Sequence, residues 1–186
     1  METKHPIVKE IIETIKMIAI SFVCVWVLTT FFIRPVQVVG DSMYPTLHDG
    51  ELGFTSIISL SIKGIERNDV VVANLSSRDE QIVKRVIGMP GDSIWCEDGK
   101  LYVNGVVVNE YYLDADYVIE ASNEEIDGLF TKDFDVVSLG DDEYFLLGDN
   151  RLHSSDSRVF GVFKEEDILS KHVYVWYPFK EMRVVK

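Results

Sequence analysis

Three short segments carry side chains able to do chemistry: Gly40–Leu47, GDSMYPTL; Lys84–Asp92, KRVIGMPGD; and Gly148–Gly161, GDNRLHSSDSRVFG. The reaction they suggest is cleavage of an amide by a nucleophilic serine. A serine hydroxyl is a weak nucleophile near neutral pH, so a base must take its proton as it attacks. His5, His48, His153 and His172 are available, but Ser42 sits in G-D-S-M-Y and not in the G-x-S-x-G of a Ser/His/Asp hydrolase. Lysine is the better base here. An ordinary lysine, with a pKa of about 10.4, is almost wholly protonated at neutral pH and must be buried among apolar groups before it can accept a proton. Lys84 has Val83, Val86 and Ile87 beside it. Taken singly, each segment has a plain reading as a turn serine before Pro45, a surface lysine on a strand, or a polar loop.

The elements that must position these residues begin with an apolar run. Met17 to Ile33 reads MIAISFVCVWVLTTFFI, uncharged throughout and flanked by Lys16 and Arg34. At about 1.5 Å per residue it spans about 25 Å, slightly short of a hydrocarbon core of about 30 Å, and the flanking cations can snorkel. It is apolar on every face, which suits a membrane segment better than a core helix. Lys4, Lys9 and Lys16 precede it and only Arg34 follows closely, so the positive-inside bias puts the N-terminus in the cytoplasm. A cleavable secretory signal competes, but its apolar region is usually about 7 to 15 residues and an Ala-x-Ala site should follow. The expected layout is therefore a cytoplasmic segment 1–16, a single-pass anchor 17–33 and an extracytoplasmic, β-rich catalytic domain 34–186.

Past Pro35 the helical period gives way to short runs rich in Val, Ile, Tyr and Phe between Gly, Asp and Asn turns, which predicts a mainly β domain. Strands are expected at Leu52–Thr55, Val70–Asn74, Ile82–Ile87, Ser93–Cys96, Leu101–Val103, Val106–Val108, Tyr144–Leu147 and Val173–Tyr177. Asp98-Gly99 and Asn104-Gly105 signal hairpins, since both pairs accept the positive φ of tight turns. Between Glu110 and Glu143 lie twelve acids and one base, Lys132, and this stretch is expected to be a solvated surface excursion. It shows no EF-hand ligand spacing. The acids and bases before Ile33 balance, so the net charge of -13 belongs to the downstream domain. Such a surface repels phosphate backbones, which sets nucleic acid aside as a partner. Cys24 and Cys96 have no neighbour at metal-ligand or redox spacing.

The three segments, in this order behind one N-terminal span, resemble the bacterial type I signal peptidases over nearly the whole chain, in the short form typical of Gram-positive bacteria. The resemblance implies a membrane-bound serine endopeptidase that removes signal peptides from secreted preproteins after Ala-x-Ala, without cofactor or metal. The lipid bilayer and a functional association with the export translocon come with it. It also implies roles: Ser42 as acyl-forming nucleophile, Lys84 as general base, Ser154 orienting the lysine, and Asp156 with Arg158 as a supporting ion pair. Arg85 follows the lysine as in the family, its role unread. The Ser42 backbone N–H would be one oxyanion donor. Some family members add a serine two residues before the nucleophile; here that position is Gly40, so the second donor is the Gly40 backbone, a water or nothing. Val38, Val39, Met43, Leu47 and Val83 match the family's shallow substrate pockets, with plain core as their other reading.

Two other readings stay in view. Related Ser/Lys peptidases mature pilus or conjugation proteins or cleave themselves as DNA-damage repressors, the last needing a DNA-binding region where this chain has its apolar run. A membrane-tethered binding or scaffold domain would have no chemical reason to keep both Ser42 and Lys84.

Overall fold

The computed structural model describes residues 6–75, 78 and 80–186; Lys4 and His5 lie outside them. The first element is one long helix, α1 (Pro6–Phe31), of 26 residues, about 39 Å at about 1.5 Å per residue. Its Val8–Phe31 part is long and apolar enough to cross a membrane, by length and composition, and none of the apolar window is buried against the rest of the protein. That exposure rules out a core helix. The helix stops short of the apolar run's end: the Phe32 N–H closes the last turn on the Leu28 carbonyl at 3.0 Å, and Ile33 already opens strand β1 (Ile33–Gln37). Helix and domain are joined without a linker. β1 holds Pro35, which masked it in the sequence; as an edge strand paired, among the described residues, only with β2 (Leu52–Ser56), it can spare a donor.

The rest of the chain is mainly β, in two antiparallel sheets. Across the larger one run β1, β2, β11 (Ile168–Tyr177), β3 (Val70–Leu75), β4 (Glu80–Gly88), β9 (Glu143–Leu147) and β10 (Phe163–Lys164), with β12 (Arg183–Val185) paired to β11. The smaller one orders β7 (Val106–Val107), β6 (Lys100–Val103), β5 (Ser93–Glu97) and β8 (Phe134–Ser138). Three further α-helices among the described residues are short: α2 (Ile57–Lys63), α3 (Ala115–Glu124) and α4 (Ser157–Phe160). Both hairpin signals hold. Asp98 and Gly99 sit at φ 50° and 69°, and Asn104 and Gly105 at 53° and 82°, closing β5–β6 and β6–β7 with the left-handed pairs that match strand twist.

The stretch from Glu110 to Glu143 is not the solvated excursion expected of it. It contains α3 and β8, and Ala121, Phe130, Thr131 and Leu139 are buried. Asp114 caps α3 by accepting the Tyr117 N–H at 2.8 Å. The acids hid these elements because each is too short to show a period. β11 likewise starts five residues before the expected Val173. Its first half is polar yet buried: Lys171 Nζ donates to Asp69 Oδ2 at 2.8 Å, and His172 Nε2 lies 3.0 Å from Asp69 Oδ1.

β4 is the strand that positions the chemistry. Its residues are exposed or half-buried up to Val83 and fully buried from Lys84 onward. At Arg85 it is flanked on both edges, by Val70 of β3 and Leu147 of β9, and past it by β9 and by the Asn68–Asp69 backbone. There Val86 joins the core of Val71, Ala73 and Leu146, while Ile87 joins that of Ile94, Leu101 and Phe145. Before Arg85, β3 alone pairs with it among the described residues. Lys84 therefore stands where the sheet opens into a cleft.

Candidate active site

Ser42 lies in a turn that follows β1, and Lys84 reaches it from β4: Lys84 Nζ is hydrogen-bonded to Ser42 Oγ at 2.7 Å and donates to the Val83 carbonyl at 3.0 Å. The turn is anchored from within by Met43 and Leu47, both buried with Val38, Val70 and Val173. Lys84 is 3% exposed. Burial, which penalises its charged form, pushes its pKa from 10.5 down to about 8, against the pull of the Asp156, Asp149 and Glu80 carboxylates; Arg158 adds a smaller push downward. At neutral pH about a tenth of such an amine is uncharged, against fewer than about one in a thousand for an ordinary lysine.

A cleft of about 400 Å³ opens beside this pair, lined by Val38, Val39, Met43 and Val83 together with Ser42 and Lys84. Of the five expected pocket residues Leu47 is the exception. It is fully buried in the core under the turn, and its side chain does not line the cleft. The Leu47 N–H bonds to the Met43 carbonyl at 2.9 Å, and its side chain packs with Val38, Met43, Val70 and Val173, the core reading that stood beside the pocket one.

Gly40 precedes the turn at φ +80°, where a side chain would be strained. Its N–H donates to Asp49 Oδ1 at 2.7 Å, so that donor is already engaged. The Ser42 N–H, by contrast, has no acceptor among the described residues.

The third segment closes the site from behind. Ser154 does not bond to Lys84 here: the lysine's partners are Ser42 and Val83, while the Ser154 hydroxyl lies by the Asp156 carboxylate and helps to lower its pKa. It lies against Gly148 and the Ser42 carbonyl, since a Cβ on Gly148 would fall 2.1 Å from Ser154 Oγ and 2.4 Å from Ser42 O. Asp156 and Arg158 do pair, through bonds of 2.8 and 2.7 Å. Burial raises the Asp156 carboxyl, but the Arg158 bonds and charge outweigh it and hold the pKa below the ordinary value. Asp156 Oδ2 also accepts the Gly148 N–H at 3.0 Å, and Arg158 reaches the Arg151 carbonyl at 2.8 Å.

Sequence reasoning left Arg85 without a role and passed over Asp149 and Asn150. Arg85 grips the buried Asp149 with bonds of 2.8 and 2.7 Å, and Thr46 Oγ1 donates to the same carboxylate at 2.6 Å. Asn150 bonds to the Ser42 turn through backbone and side chain. The motif that begins at Gly148 held both residues, but attention to its hydroxyls hid them. Cys96 is buried and its thiol is pushed up to about 11 by burial, which leaves almost no thiolate to react.

Comparison with known proteins places this architecture. The family described as "Signal peptidase, peptidase S26" matches residues 11–177. Signal peptidase I S of Bacillus subtilis (strain 168) is 42% identical over 176 residues, 94% of each chain. Signal peptidase IB of Staphylococcus aureus (strain COL) is 38% identical over 183 residues, again 94% of each. A crystal structure of a signal peptidase I from Enterococcus faecalis is similar at 30% identity and a TM-score of 0.49, covering 57% of this chain and 95% of that one. The molecule is thus a serine endopeptidase, a hydrolase. It belongs to the signal peptidase, peptidase S26 family.

Proposed function

We propose that the chain removes signal peptides from secreted preproteins with Ser42 as nucleophile and Lys84 as general base, cutting after Ala-x-Ala. The observation that carries this reading is the 2.7 Å contact between a serine hydroxyl and a buried amine at the wall of a cleft that Val38, Val39, Met43 and Val83 help to line. In its neutral form the amine accepts the Ser42 proton as Oγ attacks the scissile carbonyl, and the resulting ammonium then protonates the leaving amine. The free amine next activates the water that hydrolyses the acyl-enzyme. Charge on the tetrahedral oxygen falls to the Ser42 N–H, a preorganised donor. Asp156 and Arg158 hold the loop at Gly148 and act on geometry more than on chemistry; Ser154 contributes to the same wall, and Gly40 shapes the entry to the turn. Val38, Val39, Met43 and Val83 suit small side chains before the cut.

The same reading gives the exposed α1 a bilayer to cross, with segment 1–16 in the cytoplasm and the domain from residue 34 outside. Joined to the helix without a linker, the cleft is held near the membrane surface, where preproteins leaving the export translocon are also confined, and confinement raises effective concentration.

Purified protein incubated in detergent with one preprotein should yield a mature chain whose N-terminal sequence starts directly after Ala-x-Ala, and Ser42→Ala should yield none. A product beginning elsewhere would remove the specificity; cleavage by Ser42→Ala at the wild-type rate would remove the nucleophile. The pH profile provides a second check. Only uncharged Lys84 can act as base, so kcat/KM should drop about tenfold per unit as pH falls below about 8. A profile that stays level down to pH 6 excludes lysine as the base.

A further inference from the structure

We infer that Asn150 is a positioning residue for the oxyanion donor: its side-chain amide holds the carbonyl of the Asp41–Ser42 peptide and so aims the Ser42 N–H at the other end of that peptide. The inference deepens the reading above and rests on Ser42 being the nucleophile. Asn150 is 2% exposed. Its Nδ2 donates to the Asp41 carbonyl at 3.0 Å, and its backbone N–H donates to the Ser42 carbonyl at 3.1 Å. One residue thus fixes two consecutive peptides of the nucleophile turn. Because a trans peptide is planar, with C=O and N–H pointing opposite ways, a carbonyl held in place also holds the direction of its N–H.

Among the described residues the Asp41 carbonyl has one other donor, the Tyr44 N–H at 3.0 Å. That bond lies within the turn and moves with it, whereas Asn150 belongs to the segment after β9 and gives the turn an outside reference. The same segment holds the base: Asp149, the preceding residue, is gripped by Arg85, the neighbour of Lys84. Donor and base are therefore oriented from one short stretch of chain. Asn150 Oδ1 is buried and bonds to none of the described residues. Turning the amide over would place oxygen against the Asp41 oxygen, so the Asp41 bond dictates its orientation.

The test uses the full chain in detergent, with wild type and Ser42→Ala as references. Asn150→Ala keeps the backbone bond to Ser42 and deletes the one to Asp41. It should lower kcat by about 10- to 100-fold, less than outright loss of an oxyanion donor, with KM and the midpoint of the pH profile unchanged. The affinity of a peptidyl boronate should fall by the same factor; in that adduct a Ser42 Oγ–B bond forms, the Ser42 proton passes to Lys84, and boron becomes a tetrahedral anion. An uncleavable peptide of the same sequence should bind as to wild type. Asn150→Asp retains the volume but cannot donate to a carbonyl, so it should show the same loss of kcat on its alkaline plateau, and it serves if the alanine variant does not fold. If kcat and boronate affinity stay within twofold of wild type, the inference is wrong while the dyad stands. A loss shared equally by peptide binding, or a displaced pH midpoint in Asn150→Ala, also overturns it, because the residue would then act on the fold at large. An active Ser42→Ala would instead remove the nucleophile assignment itself.

Discussion

Lys84→Met should reduce kcat by at least about 10³-fold and at the same time make the protein more stable at neutral pH. The first half follows from the loss of the base, since a thioether of similar length cannot take the Ser42 proton. The second half follows from the same burial that makes the lysine useful. In the folded state its pKa is about 8 against 10.5 when unfolded. Between these values the unfolded chain binds more protons, so wild-type stability rises as pH climbs from about 8 to about 10.5. Below pH 8 the full penalty applies, about 3 kcal/mol for a shift of this size. Methionine escapes it but leaves the Val83 carbonyl and Ser42 Oγ without their partner, each at about 1 kcal/mol. The net gain should be about 1 kcal/mol at pH 7 and should vanish, or reverse, near pH 10.5. Chemical denaturation of both proteins at the two pH values measures this. A variant less stable than wild type at pH 7 would mean that the buried amine is not a net cost, and a variant with more than about one per cent of wild-type kcat would mean that it is not the base.

How much of this could be read from the chain depends on the length over which each signal runs. The apolar helix and the two hairpins were legible because their cause is local: a run without charge, and residue pairs that tolerate positive φ. The mainly β character followed from the same short apolar runs. Strands β1, β8, β10 and β12 were not expected: they are two to five residues long, and β1, β8 and β10 owe their existence to partners well separated in sequence, while β12 folds back onto the end of β11. Ser42 and Lys84 stood out because each residue type carries chemistry of its own. Asp149 and Asn150 did not, since their significance lies in which groups they hold, the Arg85 guanidinium and the carbonyls of Asp41 and Ser42, and those partners are visible only in three dimensions. Leu47 is the complementary case: it matches the family's pocket pattern and fits a core equally well by type, and only its packing with Val38, Val70 and Val173 decides for the core.

Gly148→Ala should be the most damaging single methyl group in the domain, lowering kcat/KM by about 100-fold or more and stability by about 1 to 3 kcal/mol. Gly148 has no positive φ, so the backbone accepts alanine; the obstacle is space. The new Cβ would lie 2.1 Å from Ser154 Oγ, 2.5 Å from Ser154 Cβ and 2.4 Å from the Ser42 carbonyl oxygen. A serine side chain can rotate away. The Ser42 carbonyl can retreat only by moving the turn that carries the nucleophile, and it is already held by the Asn150 N–H at 3.1 Å. To reach ordinary contact it must shift by about 1 Å, enough to spoil the 2.7 Å approach of Ser42 Oγ to Lys84. The two sources of crowding can be separated. Combining Gly148→Ala with Ser154→Gly clears both Ser154 contacts and leaves the one to the Ser42 carbonyl, so stability should partly recover while kcat/KM stays low. Full recovery of activity in the double variant would show that Ser154, and not the nucleophile's own backbone, is what the missing side chain of Gly148 makes room for.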